Sequence, residues 1–366
     1  MKEKIYKITL TTLTNLHIGS GETIETFDYY IKDNQFCYID QDKLVDFLIE
    51  KDKEEEFTKT ILATKRNQDR NIELILNKIG IQNLMPITKY CLNGLPEQKN
   101  NKAILTRIDG FIKNSLDRPF IPGSSIKGFI SNCLGIDIRD KKDKLKGNLF
   151  SVSDSNELSP DDLWVTKNGY YNHMNLDVKD GIYKIGAKPG GKKVLKVNTG
   201  QSNYIEFIRP GTKIEFILKI KDNRYFDINK IKESIKKVNK NYQALYQELF
   251  YQTVQSDNIT YDSLFKNDDY KSGDVFRLGK HTNFLLKTEH IKYYSDPEKL
   301  YSKLENLRLI RFPRMKKESL AKLIRHSEDY LLYPTALKVS KTPNYTYKEN
   351  GVCAYDIEDI TNKAEI

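Results

Sequence analysis

Cysteine is scarce in this sequence. Its four cysteines, Cys37, Cys91, Cys133 and Cys353, include no C-x-x-C pair. Zinc knuckles and small disulfide-rich domains depend on closely spaced cysteines, so this pattern excludes both classes and predicts free thiols, as in a reducing cytoplasm. The sequence also lacks the roughly 20-residue apolar run of a membrane span and the apolar segment of a secretion signal near its start. We therefore expect a cytoplasmic protein with no membrane contact.

Acidic residues are outnumbered by basic ones. The 366 residues contain 60 Lys and Arg against 50 Asp and Glu, which gives a formal net charge of +10. Such an excess favours a polyanionic partner, but a lysine-rich solvated surface explains it about equally well. The 23 tyrosines and 16 phenylalanines favour nucleic acid slightly, because aromatic rings beside cations suit unstacked bases. Charge and composition therefore leave both interpretations open.

Hydrophobic periodicity predicts a mixture of strands and helices. Apolar side chains alternate along residues 6–13, 204–208 and 214–220, which is typical of half-buried strands, and the Arg-Pro-Gly turn between the last two predicts a hairpin. Over residues 228–249 apolar side chains recur every three or four positions, as in an amphipathic helix. Because strands and helices are interleaved without the regular crossovers of a doubly wound sheet, we predict an α+β fold. The polar residues after 343 are interpreted as a loose tail.

The most informative segment is residues 120–128, Phe-Ile-Pro-Gly-Ser-Ser-Ile-Lys-Gly. An extended approach ends at Gly123, and Ser124 is the predicted N-cap of a helix that carries Lys127 one turn in. Free N–H groups and the helix dipole at such a start attract a phosphate. An ordinary serine cap beside a surface lysine is nevertheless slightly favoured on frequency alone. A P-loop is excluded, because there the lysine follows the second glycine, whereas Lys127 precedes Gly128.

Two further glycine-containing segments carry polar groups. Residues 16–22, Leu-His-Ile-Gly-Ser-Gly-Glu, end a strand in a turn, but they lack the third glycine of a dinucleotide-binding loop, so we expect no such cofactor. His17 is interpreted more readily as a structural hydrogen-bonding residue than as an acid or base. Residues 275–288 place basic side chains and two phenylalanines around Gly279. This mixture favours phosphate contact and base stacking over a plain basic loop.

These segments, in this order, resemble motifs of the RAMP superfamily of CRISPR proteins. Residues 16–22 resemble its L-H-I-G-S-G-E opening, and residues 120–128 resemble its P-F-I-P-G-S-S-I-K-G loop and helix. Glu206 with the Pro-Gly-Thr of residues 210–212 resembles its strand hairpin, and residues 277–288 resemble its C-terminal glycine-rich loop. No single motif is specific, but their combination is.

The resemblance implies a fold and a place of action. It implies a pair of ferredoxin-like (RRM-type) domains with helical insertions, in residues 1–200 and 201–366, whose loops grip an RNA backbone. It further implies a subunit of the Csm ribonucleoprotein of type III-A CRISPR systems that caps the crRNA 3′ end and the filament of backbone subunits. Such a subunit takes part in crRNA 3′ maturation, with trimming by recruited host nucleases, and meets target RNA only indirectly.

The resemblance also implies which residues contact RNA, and it implies neither a cofactor nor a metal ion. The implied contacts are His17, Gly19, Gly123, Ser124, Ser125, Lys127, Gly128, Arg277, Gly279, Lys280, His281 and Lys287. The helix after Gly128 departs from the family in lacking an arginine that is frequently found there.

Two enzymatic alternatives remain open, and a third is rejected as a chance match. A RAMP endoribonuclease would use a histidine as acid or base, with His17 and His281 as candidates. A metal-dependent nuclease needs carboxylates beside the phosphate, for which Asp28 and Asp109 are available without a paired-acid motif. The Ser-x-x-Lys of residues 124–127 and a distant Ser-Asp-Asn match two elements of acyl-serine enzymes, but Lys-Thr-Gly is absent. We expect a binding protein with no catalytic residue.

Overall fold

The structure is a computed structural model. It describes residues 3–64, 71–100, 102–136, 146–172, 176–179, 182–185, 203–221, 227–250, 255–256, 259–260, 275–280, 282 and 336–362. Within these residues the chain combines twenty strands with five α-helices, which confirms the predicted α+β class. The helices are α1 (Gln41–Glu50), α2 (Glu54–Ala63), α3 (Ile72–Lys78), α4 (Gly123–Cys133) and α5 (Ile228–Phe250).

The strands are distributed along the whole described chain. They are β1 (Lys4–Thr12), β2 (Gly19–Ile24), β3 (Tyr29–Lys32), β4 (Gln35–Ile39), β5 (Thr88–Asn93), β6 (Gln98–Lys99), β7 (Lys102–Ala103), β8 (Ile108–Phe111), β9 (Phe150–Val152), β10 (Leu163–Asn172), β11 (Leu176–Lys179), β12 (Ile182–Ile185), β13 (Tyr204–Ile208), β14 (Lys213–Ile220), β15 (Gln255–Ser256), β16 (Ile259–Thr260), β17 (Val275–Arg277), β18 (Ala336–Lys341), β19 (Tyr347–Glu349) and β20 (Val352–Asp359).

A five-stranded antiparallel sheet forms one half of the core, in the order β17-β20-β1-β14-β9. The predicted first strand is confirmed, since Tyr6, Ile8 and Leu10 on alternate positions of β1 are buried. Apolar residues of α4 and α5, such as Phe129 and Ile235, belong to the same hydrophobic cluster as this sheet. Both helices therefore cover this sheet. Each fully buried aliphatic side chain contributes roughly 1.5–3 kcal/mol to the free energy of unfolding.

A six-stranded sheet in the order β19-β18-β10-β13-β8-β2 forms the other half. Its residues Ile108, Val165 and Tyr204 lie in the same hydrophobic cluster as the first sheet, so the two sheets share one core. Both sheets combine strands from either side of residue 200. The division of the chain at that residue stays a prediction.

The predicted hairpin of β13 and β14 is wrong, although both strands exist. β13 pairs with β10 and β8 in the six-stranded sheet, whereas β14 pairs with β1 and β9 in the other sheet. The turn between them crosses from sheet to sheet, and the Gly211 amide donates to the Thr12 carbonyl at 2.7 Å. Alternating apolar residues identify a strand but not its partner.

The C-terminal segment is not a loose tail. β20 lies between β17 and β1 in the five-stranded sheet, and β18 and β19 form an edge hairpin of the other sheet. Its polar composition misled the prediction because most of the β20 side chains after its first two residues lie at least partly in solvent. Backbone pairing with β1 and β17, together with the burial of its first two residues, holds this strand in place.

A buried polar network anchors this C-terminal hairpin to the chain's beginning. The Trp164 indole donates to Asn15 Oδ1 at 3.0 Å, and Asn15 Nδ2 donates to Ser340 Oγ at 2.7 Å. Ser340 donates to Asn350, whose Nδ2 donates to Asn168 Oδ1 at 2.9 Å. Since buried polar groups are costly when unsatisfied, the network specifies one arrangement of residues that lie up to 335 positions apart in the sequence.

Residues 25–95 include a smaller unit in which β3, β4 and β5 form a sheet. Helices α1 and α3 bury Leu44, Leu48 and Leu76 in its separate hydrophobic cluster. Cys37 and Cys91 occupy paired positions of β4 and β5 and form a disulfide. The prediction of four free thiols is therefore wrong for this pair, because sequence spacing does not show which cysteines face each other across strands.

Among the described helices, none is both long and apolar enough to cross a membrane. The predicted amphipathic helix is confirmed as α5, with Ile231, Ile235 and Val238 buried on one face.

Candidate nucleic-acid interface

The segment that follows β1 is held in the interior. Leu16 and Ile208 exchange two backbone hydrogen bonds, of 3.1 and 2.8 Å. His17 is only 2% exposed, and its Nδ1 lies 2.7 Å from the Glu206 carbonyl oxygen. Because a carbonyl only accepts, Nδ1 carries the proton. Burial lowers the pKa of His17, so the imidazole is neutral near pH 7, consistent with its predicted structural role.

The glycine-rich segment after β17 contacts this buried histidine directly. The Lys280 amide donates to the His17 carbonyl at 2.9 Å. Gly279 has a φ of +99°, and a Cβ there would lie 2.3 Å from the same carbonyl oxygen. Only glycine permits both this backbone conformation and this approach. Two segments about 260 residues apart in the sequence are thereby fixed side by side.

Helix α4 begins two residues earlier than predicted. Its N-cap is Pro122, so the predicted cap Ser124 is the second helical residue. The Gly123 amide donates to Asp154 Oδ1 at 2.7 Å, and a Cβ at Gly123 would lie 2.3 Å from the Val152 carbonyl oxygen. Gly123 is therefore needed for close packing on β9. A carboxylate of the protein already occupies the favourable position at this helix end.

Three segments meet around one cavity of about 500 Å³, which we call the proximal cavity. Its lining comprises Ile18, Gly19, Gly21, Ser124, Ser125, Gly128, Phe129, Asn132, Arg277, Leu278, Gly279 and Lys280. Seven of the twelve residues with implied RNA contact are among these. Gly123, Lys127 and His17 lie outside the lining, and His281 and Lys287 lie outside the described residues.

The comparisons with known proteins identify the family. The family model described as RAMPs, the RAMP superfamily, matches residues 9–251. The chain belongs to the RAMP superfamily. Among curated proteins it is similar to Csm5 of a CRISPR system of Streptococcus thermophilus, with 29% identity over 139 residues. That match covers 36% of this chain and 38% of the relative, so the aligned part is well under two thirds of the relative's length.

Solved structures extend the fold likeness of this RAMP protein to nearly the whole chain. A chain in a cryo-EM structure of a type III-A Csm–crRNA–target RNA ternary complex matches with a TM-score of 0.59 and 17% identity, covering 97% of this chain and 100% of that one. The crystal structure of T. onnurineus Csm5 matches with a TM-score of 0.54 and 15% identity, covering 94% and 99%. At these identities the likeness is one of fold.

Lys280 is the exposed cation of the proximal cavity in this RAMP protein. Its side chain is 58% exposed, and its Nζ lies 3.3 Å from Asp109 Oδ2. Asp109 also accepts a hydrogen bond of 3.1 Å from Asn203. An exposed ion pair of this kind is worth little, so an incoming phosphate can compete for the ammonium.

Arg277 has a different environment from the one its basic charge suggests. The residue is 1% exposed, its guanidinium lies 3.1 Å from Glu349 Oε1, and it donates to Asn239. The centre of the guanidinium also lies 4.3 Å from the centroid of the Tyr242 ring. As placed, Arg277 ties β17 to α5 and β19 beneath the proximal cavity. Its hydrogen-bonding groups are largely engaged within the protein.

Five lining residues are not among the predicted RNA contacts, namely Ile18, Gly21, Phe129, Asn132 and Leu278, and several supporting residues were not predicted either. Phe129 and Asn132 line the proximal cavity on α4, and their spacing from Ser125 and Gly128 could have identified them as one helix face. Glu206 was singled out only by resemblance. It is buried, and it accepts hydrogen bonds from the Phe111 amide and the Lys113 ammonium at 2.7 and 2.6 Å. No local sequence signal indicates such long-range partners.

The carboxylates considered for a metal-dependent nuclease lie in different surroundings. Asp28 accepts from Gln41 at 3.1 Å in a surface turn, whereas Asp109 pairs with Lys280. In the part of the chain that the structure describes, no three His, Cys, Asp or Glu residues are grouped as metal ligands. His17, one of two acid–base candidates, is buried and faces backbone rather than an open surface.

Proposed function

We propose that this RAMP protein binds the 3′ end of the crRNA in a type III-A Csm complex, caps the filament of backbone subunits there and supports crRNA 3′ maturation. The observation that carries the proposal is the proximal cavity, where three glycine-containing segments from distant parts of the sequence meet. The similarity to Csm5, and the fold likeness to a chain of a Csm–crRNA–target RNA complex, support it.

The chemistry of the proximal cavity fits an RNA backbone. Ser124 and Ser125 supply hydroxyls, and Lys280 supplies an exposed ammonium. A Cβ added at Gly21 or Gly128 would meet nothing within 4 Å, so both glycines leave open surface where a sugar-phosphate chain can approach. Phosphate contacts of this kind position RNA without reading its sequence.

The proposed RNA residues at the proximal cavity divide into two kinds on this geometry. Those with exposed groups in the proximal cavity, above all Ser124 and Lys280, contact RNA directly. His17 and Arg277 instead hold the segments that carry Gly19 and Lys280 in place. The roles of Lys127, His281 and Lys287 rest on the family resemblance.

We infer a ferredoxin-like unit within this fold. In chain order β1, α4, β9, β14, α5 and β20 alternate as strand, helix, two strands, helix and strand, which is the ferredoxin-like pattern. Their sheet order, β20-β1-β14-β9, agrees with it. The six-stranded sheet is the candidate for the second unit, and the predicted division into residues 1–200 and 201–366 is retained only as a proposal.

The role implies partners beyond the crRNA. These are the backbone and other Csm subunits, target RNA indirectly, and host nucleases that trim the 3′ end. It also implies a cytoplasmic location. The protein would act as a grip on RNA without a cofactor, a metal ion or a catalytic residue of its own.

The maturation role is tested by assembling the Csm complex with and without this chain and sequencing the crRNA 3′ ends. We expect longer crRNA intermediates without this chain, because a 3′ end that is not bound by the protein is not trimmed at a defined position. Identical 3′ ends in both preparations would contradict the role.

The RNA grip is tested separately by Lys280→Ala. Loss of about one phosphate contact should weaken single-stranded RNA binding roughly tenfold or less. It should also make the slope of log affinity against log salt concentration shallower by nearly one. Lys59→Ala is the matched control, because Lys59 is an exposed lysine on α2 paired with Glu55. Equal affinities and salt slopes for the two variants would count against the proximal cavity as the RNA site.

A further inference from the structure

A second cavity, of about 320 Å³, lies at the β18–β19 hairpin, and we call it the distal cavity. Its lining includes Tyr345 and Tyr347 of the hairpin, Lys341 at the end of β18, and the amide side chains of Asn34 and Gln98. None of these residues belongs to the segments that line the proximal cavity. Its lining mixes aromatic rings, an ammonium and amides.

Tyr345 is exposed to solvent and has a strained backbone conformation. It is 67% exposed, and its φ is +62° in the turn between β18 and β19. The turn is closed by hydrogen bonds between Thr342 and Thr346, and the Tyr345 amide donates to the Thr342 carbonyl at 2.9 Å. A bulky residue rarely adopts positive φ, and such strain is often retained for function. Burial does not explain this tyrosine, because most of its side chain faces solvent.

The charges around the distal cavity suit an anion. The Lys341 ammonium lies 5.4 Å from the Tyr347 ring centroid. No carboxylate in the described part of the chain is within ion-pairing distance of this ammonium. Glu97, the acidic lining residue, is paired with Lys167 at 2.7 Å. Because Lys167 and Glu97 neutralise each other, Lys341 is the one described lining residue whose charge is not neutralised within the lining, and it lies beside exposed aromatic surface.

We propose that the distal cavity binds one unpaired nucleotide of a single-stranded RNA, with the base stacked on Tyr345 and a phosphate beside Lys341. Aromatic platforms next to cations are a general way to hold unstacked bases. The amides of Asn34 and Gln98 offer donors and acceptors to the base edge. The inference rests on the proposed RNA-binding function and extends it to a surface outside the family motifs.

The two cavities are separated along the six-stranded sheet. Gly19 and Gly21 of the proximal cavity lie on the edge strand β2, whereas the distal cavity lies at β10, β18 and β19 toward the other edge. Along the sheet, three to five strand spacings, or roughly 15–25 Å, separate β2 from these three strands, whereas Arg277 on the other side of the proximal cavity pairs with Glu349 of β19. A short RNA that lies against Gly19 and Gly21 therefore leaves the distal cavity empty.

The test uses the full chain, single-stranded RNAs of increasing length and the variant Tyr345→Asn. Asparagine tolerates positive φ better than tyrosine, so this variant should fold at least as stably while losing the ring. We expect its affinity for long RNA to fall roughly fivefold or more, with no loss for RNAs too short to span both cavities. Tyr345→Phe keeps the ring and should bind as the natural chain does. A 4-thiouridine RNA should cross-link to the peptide of residues 342–347 only when long.

Several outcomes would overturn the assignment. Unchanged affinity of Tyr345→Asn for every RNA length, with Lys280→Ala still weakening binding, would refute the distal site and leave the proposed function standing. If neither variant weakened binding, both would fail. An equal loss for a free mononucleotide would indicate a free-nucleotide site, and unchanged RNA affinity with reduced incorporation into the Csm complex would indicate a protein-docking surface.

Discussion

At the residue scale, the glycine motifs are explained by the room that a missing Cβ leaves rather than by backbone flexibility. Gly279 and Gly123 are required because a side chain at either would collide with a carbonyl oxygen of the protein itself. Gly128 has no such neighbour and faces open surface on α4. Glycines that look equivalent in the sequence therefore have two different functions, close packing in the first two cases and open access in the third.

This difference predicts opposite effects of two glycine substitutions. Gly279→Ala should destabilise the protein by at least about 1–3 kcal/mol, since it adds both backbone strain and a collision. Gly128→Ala should stabilise it by about 0.5–1 kcal/mol, because alanine is favoured within a helix. Urea unfolding of the two variants measures both free energies. Similar changes of the same sign would contradict the close approach of Gly279 to His17.

His17 predicts a pH dependence of stability. Burial lowers its pKa in the folded state below the ordinary value of 6.5, so the unfolded chain binds the proton more tightly. The free energy of unfolding contributed by this group is complete above pH 6.5 and decreases as the pH falls toward the folded-state pKa. Unfolding curves across this range should be less pH-dependent for His17→Asn, and identical slopes would contradict the buried neutral imidazole.

At the element scale, strand partners were decided by the tertiary structure. The sequence pattern predicted one hairpin for β13 and β14, yet the two strands belong to two sheets that share a core. The residues of β20 were predicted to belong to a loose tail, yet they form an interior strand next to β1. Helix α5 was predictable because its amphipathic repeat is long and local, whereas strand pairing depends on residues far away in the sequence.

The buried pair of Arg277 and Glu349 links three elements and predicts a structural phenotype. Arg277→Ala leaves the Glu349 carboxylate buried without its partner, which costs about 3–5 kcal/mol. Thermal and urea unfolding should both report this loss, and reduced RNA binding should follow from the displaced 278–280 segment. A variant of natural stability with weakened RNA binding would instead indicate that Arg277 contacts RNA directly.

At the scale of the whole molecule, the chain's two ends are interdependent. β1 lies between β20 and β14, and the Asn15–Ser340 hydrogen bond joins the beginning of the chain to its last hairpin. The five-stranded sheet under α4 therefore cannot form without residues near both ends.

This arrangement predicts the result of truncation. A chain that ends at residue 343 loses β19 and β20, so β1 loses one of its two neighbours and the cluster around Phe276 and Cys353 is opened. We expect it to be unfolded by circular dichroism and to lose RNA binding. A chain that ends at residue 362 keeps both strands and serves as the control. A stable, RNA-binding chain ending at 343 would contradict the interior position of β20.

The α+β class, the long amphipathic helix and the glycine-containing RAMP-like segments are local patterns, so they were predictable from the residues alone. Three facts became visible only in the folded chain: those segments meet in one cavity, Lys280 faces solvent while Arg277 is buried, and Cys37 lies opposite Cys91. Each of these depends on contacts between residues far apart in the chain. Local propensity does not specify such contacts, since they follow from burying one shared core.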